Sequence, residues 1–301
     1  LAFFPRMQHF GNRILRPPPT PVPFMASIPH HTLPSGDDLP AIGFGTWDMS
    51  DDDVHHAVPS ALDAGYTHID CAEGYQNQHA VGEVLAEYDR DDLFITSKVL
   101  PPHLHYDSVF EALDRALTRL DIEALDLYLI HWPNPAISLR ETLAALEKAH
   151  ADGLIKNIGV SNFSIHYLRF AQWIAEVPIA VNQIEFNPWY ARQELVDYCQ
   201  KHDIVVQAAA PLGRAAVLED PVVQDLAEKH DVMPAQVCLR WELQKDIVVL
   251  PQSTNADHIR ANLNLFGWEL EDEDMRRMDE LHRGQNAYQL NLDDPIYGIT
   301  P

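Results

Sequence analysis

From residue 41 onward, apolar runs of strand length alternate with stretches in which apolar residues recur at helical spacing. The runs at 42–46, 67–70, 93–98, 125–131, 155–160, 179–183, 204–208 and 247–250 give eight strand candidates. Each is followed by a helical pattern, as at 107–120, 139–151 and 194–202. Strict alternation of this kind predicts a parallel sheet covered by helices. Eight units over about 250 residues suit a closed (β/α)8 barrel better than an open doubly wound sheet.

Three segments fall outside the alternation. Within 27–40, the turn signal Ser35-Gly36-Asp37-Asp38 predicts a hairpin under the barrel. The stretch 211–244 is too long for one βα unit and carries two helical patterns, at 222–230 and 235–244, while 271–282 reads as one more helix. Residues 1–24 hold Arg6, Arg13 and Arg16 with no acid, then a proline-rich run that favours an extended chain. They are expected to be a disordered extension or upstream sequence translated by mistake, with one barrel domain over 25–301.

Composition narrows the function classes. Hydrophobic residues make up 46% of the 301, ordinary for a globular protein. No run reaches the roughly 18 apolar residues of a membrane helix. Cys71, Cys199 and Cys238 are odd in number and far apart, which predicts neither a disulfide framework nor a thiolate metal site, and a reducing cytoplasm as the compartment. The charge balance is unusual: 45 Asp and Glu stand against 21 Lys and Arg, a formal net of -24. Such a surface repels nucleic acid and anionic membranes. The acidic runs lie between apolar segments, so they read as solvated faces of a folded protein adapted to high salt.

The chemistry concentrates at strand ends, where a (β/α)8 barrel places its active site. Strand two ends at Asp70 and runs on to Tyr75, strand three ends at Lys98, and strand four ends at His131. Any one of these alone would be read as structural. Together on one rim they suit carbonyl reduction, which needs hydride at carbon and a proton at oxygen. A tyrosine hydroxyl can give the proton, but its unperturbed pKa is about 10. A neighbouring lysine ammonium favours the tyrosinate, and Asp70 would compensate that buried charge. His131 would orient the substrate oxygen or join a proton relay.

At these residues the chain resembles the aldo-keto reductase family, in particular microbial members of the diketo-gulonate reductase kind. The matching runs are Gly43-Phe44-Gly45-Thr46-Trp47, Gly65-Tyr66-Thr67-His68-Ile69-Asp70-Cys71-Ala72 with Tyr75 and Asn77, and Ser97-Lys98. They continue with Leu129-Ile130-His131-Trp132-Pro133, Gly159-Val160-Ser161-Asn162-Phe163, Val181-Asn182-Gln183-Ile184-Glu185 and Pro211-Leu212-Gly213. The resemblance implies a catalytic tetrad of Asp70, Tyr75, Lys98 and His131, and NADP(H) or NAD(H) as cofactor. It implies that Ser161, Asn162 and Gln183 hold the nicotinamide carboxamide, with further cofactor contacts from Thr46, Trp47, Asp70, Leu212, Gly213, Ser253, Thr254, His258 and Asn262. Trp47, His131, Trp132 and Trp189 are expected to contact substrate. No Gly-x-Gly-x-x-Gly follows a strand, so the cofactor expectation rests on the resemblance and on the tetrad's need for a hydride source.

The chain departs from the family pattern at three places. Ala209 stands where the family has an aromatic that stacks on the nicotinamide, Gln252 where it has a lysine, and His258 where it has an arginine. Losing two cations near the adenosine 2′-phosphate predicts a weakened preference for NADPH. The histidines at 30–31, 55–56, 103 and 105 lack partner carboxylates at ligand spacing, so no metal is expected. Short loops predict an open pocket for small carbonyl substrates of several kinds, in a monomer. One alternative from a different class stands beside the enzyme: a cofactor-binding regulatory barrel with little turnover. A Schiff-base isomerase or aldolase built on Lys98 would leave Asp70 and Tyr75 without a task.

Overall fold

A computed structural model describes residues 27–287; the expectation about residues 1–24 lies outside them. Strands β1 (His30–Thr32) and β2 (Asp38–Pro40) pair antiparallel, forming the expected hairpin. Its turn is held by Ser35 Oγ, which donates to Asp37 Oδ2 at 2.7 Å and accepts from Asp37 N at 3.1 Å. Leu33 and Leu39 from the hairpin are buried against Phe94, Leu127, Leu129, Val181 and Val248, so it plugs one end of the barrel.

Eight strands follow: β3 (Phe44–Gly45), β4 (His68–Asp70), β5 (Phe94–Val99), β6 (Leu125–Ile130), β7 (Ile155–Ser161), β8 (Ile179–Glu185), β9 (Val205–Ala209) and β10 (Val248–Val249). They lie side by side in sequence order, every pair parallel. The seam between first and last is closed by Gly43 N to Val249 O at 2.9 Å, Val249 N to Ala41 O at 3.0 Å and Gly45 N to Pro251 O at 3.1 Å. At this seam β3 and β10 are two residues each, shorter than the apolar runs containing them. Glycine is required there: a Cβ on Gly43 would meet His68 Nδ1 at 2.4 Å and Leu250 at 2.8 Å.

The helices are α1 (Asp51–Ala64), α2 (Gln78–Leu85), α3 (Tyr106–Leu120), α4 (Leu139–Ala151), α5 (Ile165–Ile174), α6 (Gln193–Lys201), α7 (Pro221–His230), α8 (Pro234–Gln244), α9 (Ala256–Leu263) and α10 (Asp272–Asp279). The two patterns in 211–244 are α7 and α8, and 271–282 contains α10. Local signals set their ends. Ser50 and Asp53 form a reciprocal capping box at the start of α1, and Gly65 closes it at φ 113°. In α3 the buried set Val109, Ala112, Leu113, Ala116 and Leu120 follows the three-and-four spacing that faces one stripe to the core. Among the described residues no helix is long and apolar enough to cross a membrane.

Candidate active site

Parallel strands sharing one direction bring their final residues to one rim. Asp70 is the last residue of β4, Lys98 lies one residue before the end of β5, and His131 directly follows β6. Tyr75 ends a short turn of 3-10 helix at Glu73–Tyr75. Lys98 is fully buried, and its Nζ donates to Asp70 Oδ1 at 2.5 Å, Tyr75 Oη at 3.0 Å and the Cys71 carbonyl at 3.1 Å. All three ammonium hydrogens are thereby committed, which suits a fixed cation and not a Schiff-base nucleophile. A charge buried this deeply needs such pairing to be tolerated.

The Tyr75 turn is anchored from behind. The buried Glu73 carboxylate accepts from Leu100 N at 3.1 Å, His103 at 3.0 Å and Arg115 at 2.9 Å. Burial opposes ionisation of Glu73, but these hydrogen bonds outweigh it and hold the carboxyl below the usual range. Asn77 ties the same region to β3 by donating to the carbonyls of Thr46 at 2.8 Å and Met49 at 3.1 Å. The His131 ring packs edge-on to Tyr75 with centroids 5.7 Å apart. Burial, with the nearby Lys98 charge, drives the His131 pKa well below its ordinary value, so the imidazole is neutral.

Ser161 ends β7 and Asn162 follows in the left-handed region at φ 62°, its backbone N–H donating to Gln183 O at 2.8 Å. The Asn162 amide donates to Ser161 Oγ and to His131 O, both at 3.0 Å. Gln183 on β8 donates through Nε2 to Asp70 Oδ2 at 2.8 Å and to Gln207 Oε1 at 3.1 Å. Of the three residues expected at the carboxamide, Gln183 and Asn162 are thus bonded to Asp70 and His131, and Ser161 is joined to them through Asn162. Gln183 also lines a cleft of about 430 Å³ together with Trp47, Asp70, Tyr75, Leu212 and Arg214. With its N–H groups committed, Gln183 has a carbonyl oxygen left to present. This donor and acceptor set fits a ring that bears a primary amide.

The remaining expected residues are more dispersed. The Thr46 hydroxyl is buried and donates to Asp70 O at 3.0 Å, holding the strand end. Gly213 sits at φ 50° beneath Leu212, packed on Asn187. Ala209 and Gln252 line the cleft, as departures from the family pattern. Ser253 Oγ accepts from Asn255 N at 3.1 Å, and Asn255 caps α9 by accepting from Asp257 N and His258 N. Thr254 and His258 are exposed and Asn262 is buried in α9. Trp132 is half-buried beside His131 and outside the cleft lining. Trp189 also lies outside it, with Nε1 donating to Asp220 Oδ2 at 3.0 Å and the Arg283 guanidinium on its ring.

Three further residues belong to the site: Gln207, Arg214 and Glu73. Gln207 is a lone polar side chain inside the run 204–208, and an inward polar residue in a barrel strand is the signal that marks it. Arg214, over the Trp47 ring at 4.7 Å, directly follows Pro-Leu-Gly. Glu73 is the single acid between Asp70 and Tyr75. Histidines elsewhere meet carboxylates singly: His55 and His79 both reach Glu83, and His105 reaches Glu141. Among the described residues no group of three or more His, Cys, Asp or Glu is arranged to hold a metal ion.

Comparison with known proteins places this geometry in a family. The family model described as Aldo/keto reductase family matches residues 41–283. The chain is 38% identical over 290 residues to the aldo-keto reductase family 1 member A1-A of Danio rerio, covering 84% of this chain and 90% of that one. It is 39% identical over 258 residues to the glyoxal reductase of Bacillus subtilis (strain 168), covering 85% and 93%. Among solved structures, an aldo-keto reductase complexed with NADPH superposes with a TM-score of 0.84 at 31% identity, covering 92% of this chain and 96% of that one. Nothing in these likenesses supports the regulatory-barrel alternative. The chain therefore belongs to the aldo/keto reductase family and is an oxidoreductase that interconverts carbonyl and CH–OH groups with NAD(P)H.

Proposed function

We propose that Tyr75 is the proton donor of carbonyl reduction, with Lys98, Asp70 and His131 as its supporting groups. The observation that carries this reading is the position of Lys98 Nζ, within hydrogen-bond reach of both Asp70 and Tyr75. The nicotinamide, when bound, supplies hydride to the carbonyl carbon. Tyr75 then gives its proton to the substrate oxygen, and the Lys98 ammonium stabilises the phenolate left behind. Asp70 compensates the lysine charge in the dry interior. A neutral imidazole is a poor acid but a good hydrogen-bond donor, which assigns His131 to orienting the substrate oxygen.

Ser161, Asn162 and Gln183 would hold the carboxamide, and Leu212 and Gly213 would lie along the cofactor. The loop with Ser253 and Thr254, and α9 with His258 and Asn262, would meet its adenosine end. With Gln252 and His258 in place of two cations, discrimination between NADPH and NADH is expected to be small. The open cleft suits small aldehydes, keto acids and sugars. The chain is proposed to act as a monomeric cytoplasmic enzyme adapted to high salt, with 25–301 as its domain.

Tyr75→Phe tests the assignment. Carbonyl reduction should fall by at least the 10²–10⁴-fold that general acid catalysis contributes, while NAD(P)H affinity, read by fluorescence titration, stays near the parent value. Turnover close to the parent's in Tyr75→Phe would sink it.

A further inference from the structure

Gln183 and Gln207 face each other across adjacent strands, in register in the β8–β9 pair. Gln207 is fully buried. Its Oε1 accepts from Gln183 Nε2 at 3.1 Å, while its own Nε2 has no hydrogen-bond partner among the described residues. We propose that Gln207 is a positioning residue for cofactor recognition: it takes up the second N–H of Gln183, so that Gln183 offers the cofactor a carbonyl acceptor and no donor. This inference rests on the reading that Gln183 holds the nicotinamide carboxamide.

An amide side chain is nearly symmetric in shape, and only its partners decide which end faces a ligand. Gln183 has two N–H groups and one oxygen. The Asp70 carboxylate takes one N–H at 2.8 Å, and that bond alone leaves the other free to turn with the side chain. Gln207 removes this freedom. Both N–H groups then point at fixed acceptors within the barrel wall, and the oxygen is the atom left for the cleft that Gln183 lines. A carboxamide ligand can meet that oxygen with its NH₂. A ligand with a ketone in the same place cannot.

The unpartnered Nε2 of Gln207 is the second observation. A buried donor without an acceptor destabilises the fold, and an apolar side chain of similar size would avoid it. Gln207 therefore sits at a cost to stability, as expected of a residue retained for what its oxygen does. The amide-to-amide contact extends one chain of bonds from Gln207 through Gln183, Asp70 and Lys98 to Tyr75.

The test compares binding of the reduced natural cofactor with that of its 3-acetylpyridine analogue, which keeps the carbonyl and lacks the NH₂ donor. Affinities are read by fluorescence titration without substrate, and folding by thermal melts. The parent should favour the natural cofactor by about tenfold, the worth of one hydrogen bond of ordinary strength. Gln207→Met should narrow that ratio to within about threefold, with a melting temperature equal to or above the parent's. Gln207→Glu, which keeps an acceptor oxygen, should restore the ratio. If Gln207→Met does not fold, Gln207→Thr removes the reaching acceptor with less bulk and carries the same expectation. A parent that discriminates tenfold beside an apolar variant that discriminates equally well would overturn the role of Gln207 alone. A parent that does not discriminate would overturn it together with the carboxamide role of Gln183.

Discussion

Lys98 carries the most weight of any single residue, because three acceptors depend on its ammonium. Lys98→Met removes the cation beside Tyr75 and strands the buried Asp70 carboxylate. Reduction should fall by two or more orders of magnitude, and stability should fall by about 3–5 kcal/mol, the usual cost of breaking one side of a buried pair. Retention of both rate and melting temperature would refute the assignment. Glu242 on α8 gives an independent check of buried charge. It is fully buried, both carboxylate oxygens lack partners among the described residues, and burial pushes its pKa well above the ordinary value. The folded chain therefore keeps a proton that the unfolded chain has lost above about pH 4.3. Stability must then fall as pH rises above that point, by at most about 1.4 kcal/mol per unit from this group. Glu242→Gln removes the titration, so its melting temperature should gain on the parent's between pH 5 and pH 8; a constant gap would contradict the buried acid. The meeting of Asp70, Lys98 and His131 was legible in the sequence because each is an ionisable group where an apolar run ends, and Tyr75 because it follows Asp70 within one short turn. Gln207 was not, since one amide within an apolar strand does not reveal which neighbour it meets.

At the scale of elements, helix contacts and loops divide the constraints. A Cβ on Gly82 of α2 would meet the Arg119 carbonyl oxygen at 2.3 Å and Leu120 Cα at 2.8 Å, both backbone atoms of α3. Alanine would gain about 1 kcal/mol in helix propensity, but forcing the helices apart costs about 1–3 kcal/mol. Gly82→Ala should thus lower the melting temperature, and an increase would show that α2 shifts freely. The β10-to-α9 loop and the first turn of α9 belong to the proposed cofactor site instead. Gln252→Lys with His258→Arg should lower KM for NADPH selectively, since lysine and arginine restore the cations a phosphate favours. Strong NADPH preference in the parent, unaltered by the double change, would point to another cation. Arg260 would be the first to examine, being two residues from His258 and paired with Asp257 at 2.6 Å. All eight strands were legible from the alternation of apolar runs and helical patterns. The short ladders at β3 and β10 were not, because seam length depends on how the first and last strands meet around Gly43 and His68. The α9 cap was equally hidden, as Asn255 reads as a loop residue until its oxygen is seen to take the first helical N–H groups.

Over the whole molecule, the formal net charge of -24 dominates. Part of the acid has a local task. Asp51, Asp52 and Asp53 lie in the first turn of α1, and Asp272, Glu273 and Asp274 in that of α10, where negative charge favours the helix dipole. Several cations are already engaged: Lys229 pairs with Glu271 and Asp274, Lys156 with Asp126, and Arg277 with Asp225. With 45 acids against 21 Lys and Arg, more than half of the carboxylates have no cation to match them one to one. In dilute buffer of about 0.01 M the Debye length is about 30 Å, so these charges repel across the fold. Near 1 M it falls to about 3 Å, and only close neighbours still interact. Folding concentrates the charges, so screening stabilises the native state more than the unfolded chain. Melting temperature and activity should therefore both rise as potassium chloride goes from dilute to molar concentrations. The surface pairs run the other way, since screening weakens each of them, but exposed pairs contribute only about 0–1 kcal/mol apiece. Parallel melts in chloride and in sulfate separate screening from the exclusion that sulfate adds, because screening appears in both salts at matched ionic strength and exclusion mainly in sulfate. A melting temperature that stays flat or falls in both would end the high-salt reading and leave an ordinary acidic enzyme.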